Sequence, residues 1–164
     1  MSTLKYAASM EKSIGTNIEN LREGCSPELC DVLILLAEFQ REFEMVLVRA
    51  TSVSPEQSLP ALDTAHLLGA DDNWRKMTSA FSADSPPNAH DFTVLWSIHA
   101  MLDKSTQFYQ QASKQSVQPH VRLFFSSIAE LKLMLRRRID GIERILANQV
   151  WKEVGFAPGL LGKE

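Results

Sequence analysis

Little in this chain advertises a chemistry, and each absence removes a class of function. Only two cysteines occur among 164 residues, Cys25 and Cys30. A Cys-x4-Cys pair with no further cysteine reads as two ordinary thiols, and such sparing use fits a reducing, cytoplasmic setting. The amino terminus MSTLKYAASMEK has no long apolar run, so no signal peptide is expected. DVLILLAEF is stopped by Gln40 and Arg41, well short of the ~20 apolar residues a membrane helix needs. Glycine-rich phosphate loops, the G-x-S-x-G elbow and Cys–His pairs at an interpretable spacing are also missing. The formal net charge of −3 sets up no field that would gather nucleic acid or an anionic membrane, so neither is expected as a partner. Arg136, Arg137 and Arg138 form the one basic cluster. Asp140 and Glu143 follow within helical reach, which makes the cluster a solvated face with local pairing.

What the chain does have is helical periodicity. Apolar residues make up 45% of it, enough for one domain with a proper core over 1–164. Leu4, Ala7, Ala8, Glu11, Ile14, Ile18 and Leu21 share a stripe, predicting a first helix over about 3–23 that Gly24 closes. Ser26-Pro27-Glu28 is a start signal for a second helix over about 27–50, with Val32 to Ala37 buried on most sides. The proline-rich stretch 51–87 reads as a crossover with short helices around Leu62 to Leu68 and Trp74 to Phe81. Asp91 or a neighbour then opens a third helix over about 91–114, carrying Phe92, Leu95, Trp96, His99, Leu102, Thr106 and Tyr109. A fourth follows from Gln118-Pro119 over about 118–150, and the tail 151–164 is expected to fold back on its own helices through Trp151, Phe156, Leu160 and Leu161. Trp74, Trp96 and Trp151 read as core or interface anchors, since no basic residues are interleaved with them. No alternating run is long enough for a strand.

The two hairpins repeat each other. A displacement that carries Ala8 onto Ala100 also carries Glu11 onto Asp103, Lys12 onto Lys104, Ser13 onto Ser105, Pro27 onto Pro119, Ala37 onto Ala129 and Glu38 onto Glu130, without a gap. LLAEFQREF and SIAELKLML are thus two copies of one outline.

The second hairpin, FYQQASKQSVQPHVRLFFSSIAEL, resembles the rubrerythrin branch of the ferritin-like superfamily. Phe108-Tyr109, the turn proline Pro119, Leu123-Phe124 and Ile128-Ala129 carry the likeness, and the first hairpin joins it through the repeat. The resemblance implies an all-α, ferritin-like four-helix bundle, two hairpins joined by a long crossover. It also implies where a di-iron centre would lie. In that family one glutamate from each of two helices and a Glu-x-x-His from each of the other two bridge the cations and neutralise them. By register the lone glutamates fall on Leu102 and Met10. The Glu-x-x-His pairs fall on Lys132 with Leu135 and on Gln40 with Phe43. All six differ from the family's ligands, and one is an ammonium where cations would bind.

The reading that follows is a metal-free bundle with no cofactor, its former site packed with Met, Phe and Leu, acting as a structural or protein-interaction module. Its expected partner is a second copy of the chain or another protein. Whether Gln40 and Lys132 face each other or reach the surface stays open at this level. The alternative is a divergent di-iron oxidoreductase in peroxide, oxygen or iron handling. Glu11 and Asp103 lie one residue beyond the implied ligand positions and Glu38 and Glu130 two residues before the others, so a shifted register would make these four the ligands. One residue is about 100° of helix, so both hairpins would need compensating shifts. No Glu-x-x-His occurs, and His66, His90, His99 and His120 stand apart, only His99 within an expected helix core.

Overall fold

A computed structural model describes residues 2–53, 59–60, 62, 71–81 and 88–155. The described residues form five helices and no strand: α1 Thr3–Asn20, α2 Pro27–Thr51, α3 Asp71–Ala80, α4 Ala89–Gln115 and α5 Pro119–Glu153. None is long and apolar enough to cross a membrane. The expected short helix around Leu62 to Leu68, together with His66 and the tail residues Phe156, Leu160 and Leu161, lies outside the described residues.

Local chemistry sets the helix ends. The Ser2 side chain caps α1 by accepting from the Lys5 N–H. Ala7, Glu11, Ile14 and Ile18, at helical spacing, form its buried face. The helix ends at Asn20, a turn earlier than the apolar pattern predicts, because Leu21–Gly24 is already a turn. Gly24 has φ of 82°, and a Cβ there would come within 3.3 Å of the His90 ring, so both the conformation and the space call for glycine. Ser26 then caps α2 through the Leu29 N–H, with Pro27 at the first helical position.

Two hairpins, α1 with α2 and α4 with α5, close over one apolar core drawn from all four long helices. The start of α4 is fastened to the α1–α2 turn. The Asp91 carboxylate accepts from the Ser26 N–H at 3.0 Å and the Ser26 hydroxyl at 2.6 Å, and Asn88 Nδ2 donates to the Gly24 carbonyl at 3.4 Å. Both α2 and α4 therefore leave from the same end and run the same way. The chain between them has to return the length of α2. Its described helix, α3, buries Trp74 in a stack on Phe39 with ring centroids 6.1 Å apart, and Arg138 of α5 lies over the indole at 5.3 Å. Gln149 near the end of α5 donates to the Phe81 carbonyl at 2.6 Å.

Two details of α4 differ from the sequence pattern. Asn88, not Asp91, caps the helix, accepting from the His90 N–H. Asp91 is left to serve the neighbouring turn. The buried face runs through Val94, Leu95, Ile98, Leu102, Thr106 and Tyr109. That turns Trp96 outward, 60% exposed, where its indole N–H donates to Glu143 at 2.8 Å. Among the other indoles, Trp74 is buried and Trp151 is about half exposed.

Asp91 is 1% exposed, so Asp91→Ala should leave two Ser26 donors without their acceptor and cost about 1 to 3 kcal/mol. A lowered urea midpoint at constant slope is the expected reading. A loss below about 0.5 kcal/mol, the scale of a surface substitution, would show that this clamp does not hold the hairpins together.

A candidate functional site among the four long helices

Each long helix sends one polar side chain to a single point in the core. Glu11 of α1 follows Ala7 and precedes Ile14 on a buried stripe. Gln40 of α2 lies between Leu36 and Phe43, Tyr109 of α4 continues from Leu102 and Thr106, and Lys132 of α5 lies between Ile128 and Leu135. Apolar spacing alone would fill these positions with Leu or Phe. Burial is complete or nearly so: Glu11, Tyr109 and Lys132 are 0% exposed and Gln40 is 1%.

The four groups form one hydrogen-bonded node. Lys132 Nζ donates to Glu11 Oε2 at 2.5 Å and to Gln40 Oε1 at 2.8 Å. The Tyr109 hydroxyl donates to Glu11 Oε1 at 2.7 Å. The ammonium also lies 4.5 Å from the Phe43 ring centroid, within cation–π range. Because an ammonium can only donate, the carbonyl oxygen of Gln40 has to face it. Its amide nitrogen is turned away and has no hydrogen-bond partner among the described residues.

Charge balance follows from this geometry. Burial lowers the Lys132 pKa from the ordinary lysine range, while the charge of Glu11 and its hydrogen bond work against that fall. Burial likewise raises the Tyr109 phenol well above its ordinary value, and the adjacent Glu11 charge and hydrogen bond add to the rise. One buried anion meets one buried cation, and each carboxylate oxygen answers to a different helix. Such a pair is seldom a large net source of stability, but breaking it is costly.

Of the positions implied by register, Gln40, Phe43 and Lys132 meet here. Gln40 and Lys132 face each other with Phe43 beneath the ammonium, Leu102 and Leu135 are buried in the core, and Met10 is partly buried against it. The displacement that carries Ala8 onto Ala100 also carries Gln40 onto Lys132, 92 residues on, so this hydrogen bond joins equivalent positions of the two hairpins. The four carboxylates do not converge. Glu38 and Glu130 are exposed, and Asp103 pairs with Arg136 at 2.7 Å on the outer side of α4 and α5. Glu11 alone reaches the centre. Its position and that of Tyr109 within apolar stripes was the available signal for the node; the pairing itself joins residues 98 and 121 positions apart.

The thiols sit elsewhere. Cys25 donates to the Leu21 carbonyl at 3.0 Å, and burial, then the neighbouring Asp91 and Cys30, pushes its pKa up to about 11. Thiolate chemistry is correspondingly suppressed at neutral pH.

No protein-family model, curated protein or solved structure matches the chain.

Glu11→Ala should destabilise the protein by about 3 to 5 kcal/mol, since it strands a buried ammonium. Replacing the node as a set, Glu11→Leu with Gln40→Leu, Tyr109→Phe and Lys132→Met, should be neutral or stabilising by about 1 to 4 kcal/mol. Thermal and urea unfolding of both variants measure this; a set variant as weak as the single one would show that the polar groups are needed for more than their mutual pairing.

Tyr109 gives a pH signature. The folded chain holds the phenol proton above the ordinary value of 10.0, so its contribution to stability is complete below that pH and falls away as pH rises beyond it. In an alkaline titration followed by phenolate absorbance, the Tyr109 share should appear only with unfolding, and the Tyr109→Phe variant should lack that step. Ionisation of Tyr109 in the folded protein, at the ordinary value, would contradict the node.

Proposed function

We propose that the chain is a metal-free, ferritin-like bundle of the rubrerythrin type that acts as a structural or protein-interaction module. The observation that carries this reading is the Lys132 ammonium between Glu11 and Gln40, at a position where the resemblance puts a metal-binding glutamate. A fixed organic cation there repels a second cation and occupies Glu11, the one of the four candidate carboxylates that reaches the centre. Phe43, Leu102 and Leu135, which stand at other implied ligand positions, are buried and offer no donor atoms. These residues do not fit a di-iron centre. The course of the helices, with α2 and α4 running the same way and α3 in the connection between the hairpins, supports the ferritin-like reading, in which one long crossover joins two hairpins.

An interaction role draws support from the outer face of α2. Ile34, Met45 and Val48 are 39%, 43% and 49% exposed and lie on one side of the helix. A second copy of the chain is the occupant this reading assigns to that face.

One sample tests both parts. The protein is loaded anaerobically with Fe(II), exposed to air, analysed for metal and near-ultraviolet oxo-di-iron absorption, and then sedimented. The expected outcome is no bound iron pair and a dimer that Met45→Glu with Val48→Glu dissociates. Two irons per chain with that absorption would replace this reading by a di-iron oxidoreductase using Glu11, Glu38, Asp103 and Glu130. A monomer at all concentrations would remove the second copy as partner.

A further inference from the structure

A second convergence of donor atoms lies on the outside of the α4–α5 hairpin, away from the central node. His99 Nδ1 of α4 faces two carboxylates of α5, Asp140 Oδ1 at 3.5 Å and Glu143 Oε2 at 3.8 Å. Asp140 and Glu143 are three residues apart and so lie on one side of their helix. The three donor atoms all fall within 4.8 Å of one another, and each residue is about one-third exposed or less.

The spacing is informative. It is too long for hydrogen bonds, which fall at about 2.7 to 3.2 Å. Two ligands on one tetrahedral cation, with bonds of about 2.0 to 2.2 Å, stand roughly 3.4 Å apart. Both carboxylate oxygens therefore stand within a few tenths of an ångström of that separation from Nδ1, and all three groups lie close enough to share one cation after a small adjustment. Their surroundings also orient them. The indole N–H of Trp96 holds Glu143 Oε1, which leaves Oε2 turned towards His99. Arg136 pairs with Asp103 through one terminal nitrogen, so Asp140 and Glu143 are the carboxylates of this cluster not matched by that guanidinium.

We propose that His99, Asp140 and Glu143 form a surface site for a divalent transition-metal cation of borderline character, for which one imidazole and two carboxylates are a suitable donor set. Arg136 acts as its gate. Arg136 Nε donates to His99 Nε2 at 2.9 Å, which keeps the lone pair on Nε2 and the ring proton on Nδ1. For Nδ1 to bind a cation, the ring proton passes to Nε2 and the guanidinium withdraws from His99, retaining Asp103. The ring stays neutral throughout, and no redox change is involved. Metal and Arg136 thus compete for the same histidine through its two nitrogens.

The test is titration of the full-length, tag-free protein with Zn²⁺, by calorimetry and by Trp96 fluorescence, with Trp96→Phe identifying the indole that reports. One zinc per chain is expected. His99→Ala, His99→Gln and Asp140→Asn should each weaken it at least tenfold, while Arg136→Met should tighten it by removing the competitor. Circular dichroism of each variant shows whether it is folded, and two different His99 replacements guard against loss through misfolding. Absence of zinc binding, or binding that both folded His99 variants retain in full, would overturn the proposal. So would an Arg136→Met variant that binds more weakly. Iron in the core would leave this site's response to His99 unchanged, so the two readings fail separately.

Discussion

The buried pair of Glu11 and Lys132 is the constraint that the rest of the molecule has to respect. A charge without a partner in that core would cost several kcal/mol (roughly 3 to 5), a sizeable share of the stability of a domain this size. Both carboxylate oxygens are used, one by Lys132 of α5 and one by Tyr109 of α4. The ammonium in turn reaches Gln40 of α2. Sliding any one of the four helices by a residue rotates its member of the node by about 100° and breaks the set. Apolar cores accept extensive substitution when volume and patterning are kept, whereas this set of hydrogen bonds is tied to one register of the four helices.

Around that centre, the remaining polar contacts act on the ends and the outside of the helices. Asp91 ties the first hairpin's turn to the start of α4, and Gly24 lets the turn pass close to the His90 ring. Trp74 and Gln149 hold the described part of the connection against α2 and α5. The outer face of α4 and α5 carries a different chemistry, in which Arg136 bonds to Asp103 and His99, Trp96 bonds to Glu143, and Asp140 and Glu143 stand near the His99 ring within reach of solvent. On the proposed readings these are two separate answers to the same question. The centre holds a cation that is part of the chain, and the surface offers a place for one that is not.

The two hairpins differ most at the centre of the core. Gln40 and Lys132 are equivalent under the repeat, and they meet as acceptor and donor. Glu11 and Asp103 are equivalent too, but one is sealed in the core and the other is bound to Arg136 at the surface. If a duplicated hairpin once presented like charges to its own centre, repulsion would have required metal or neutralisation. A lysine on one side and an amide on the other achieve neutrality with the Glu11 carboxylate of α1. The same asymmetry leaves the Gln40 amide nitrogen in the core without a hydrogen-bond partner among the described residues, the visible cost of that solution.

The four long helices, the cap of α2 and the all-α class were legible in the chain because they are local. Ser26-Pro27 starts α2, Gly24 ends the preceding turn and Pro119 opens α5, each within a few residues of the structure it dictates. The burial of Leu102 followed from helical spacing in the same way. The sequence also put Glu11 on an apolar stripe, without saying what would meet it there. Only the tertiary structure decided that Lys132 does, that Asp91 serves a neighbouring turn and not its own helix, and that Trp96 faces out to hold Glu143. These pairings join residues 47 to 121 positions apart. Their partners are chosen by which faces the packed helices bring together, and no local pattern of the chain carries that information.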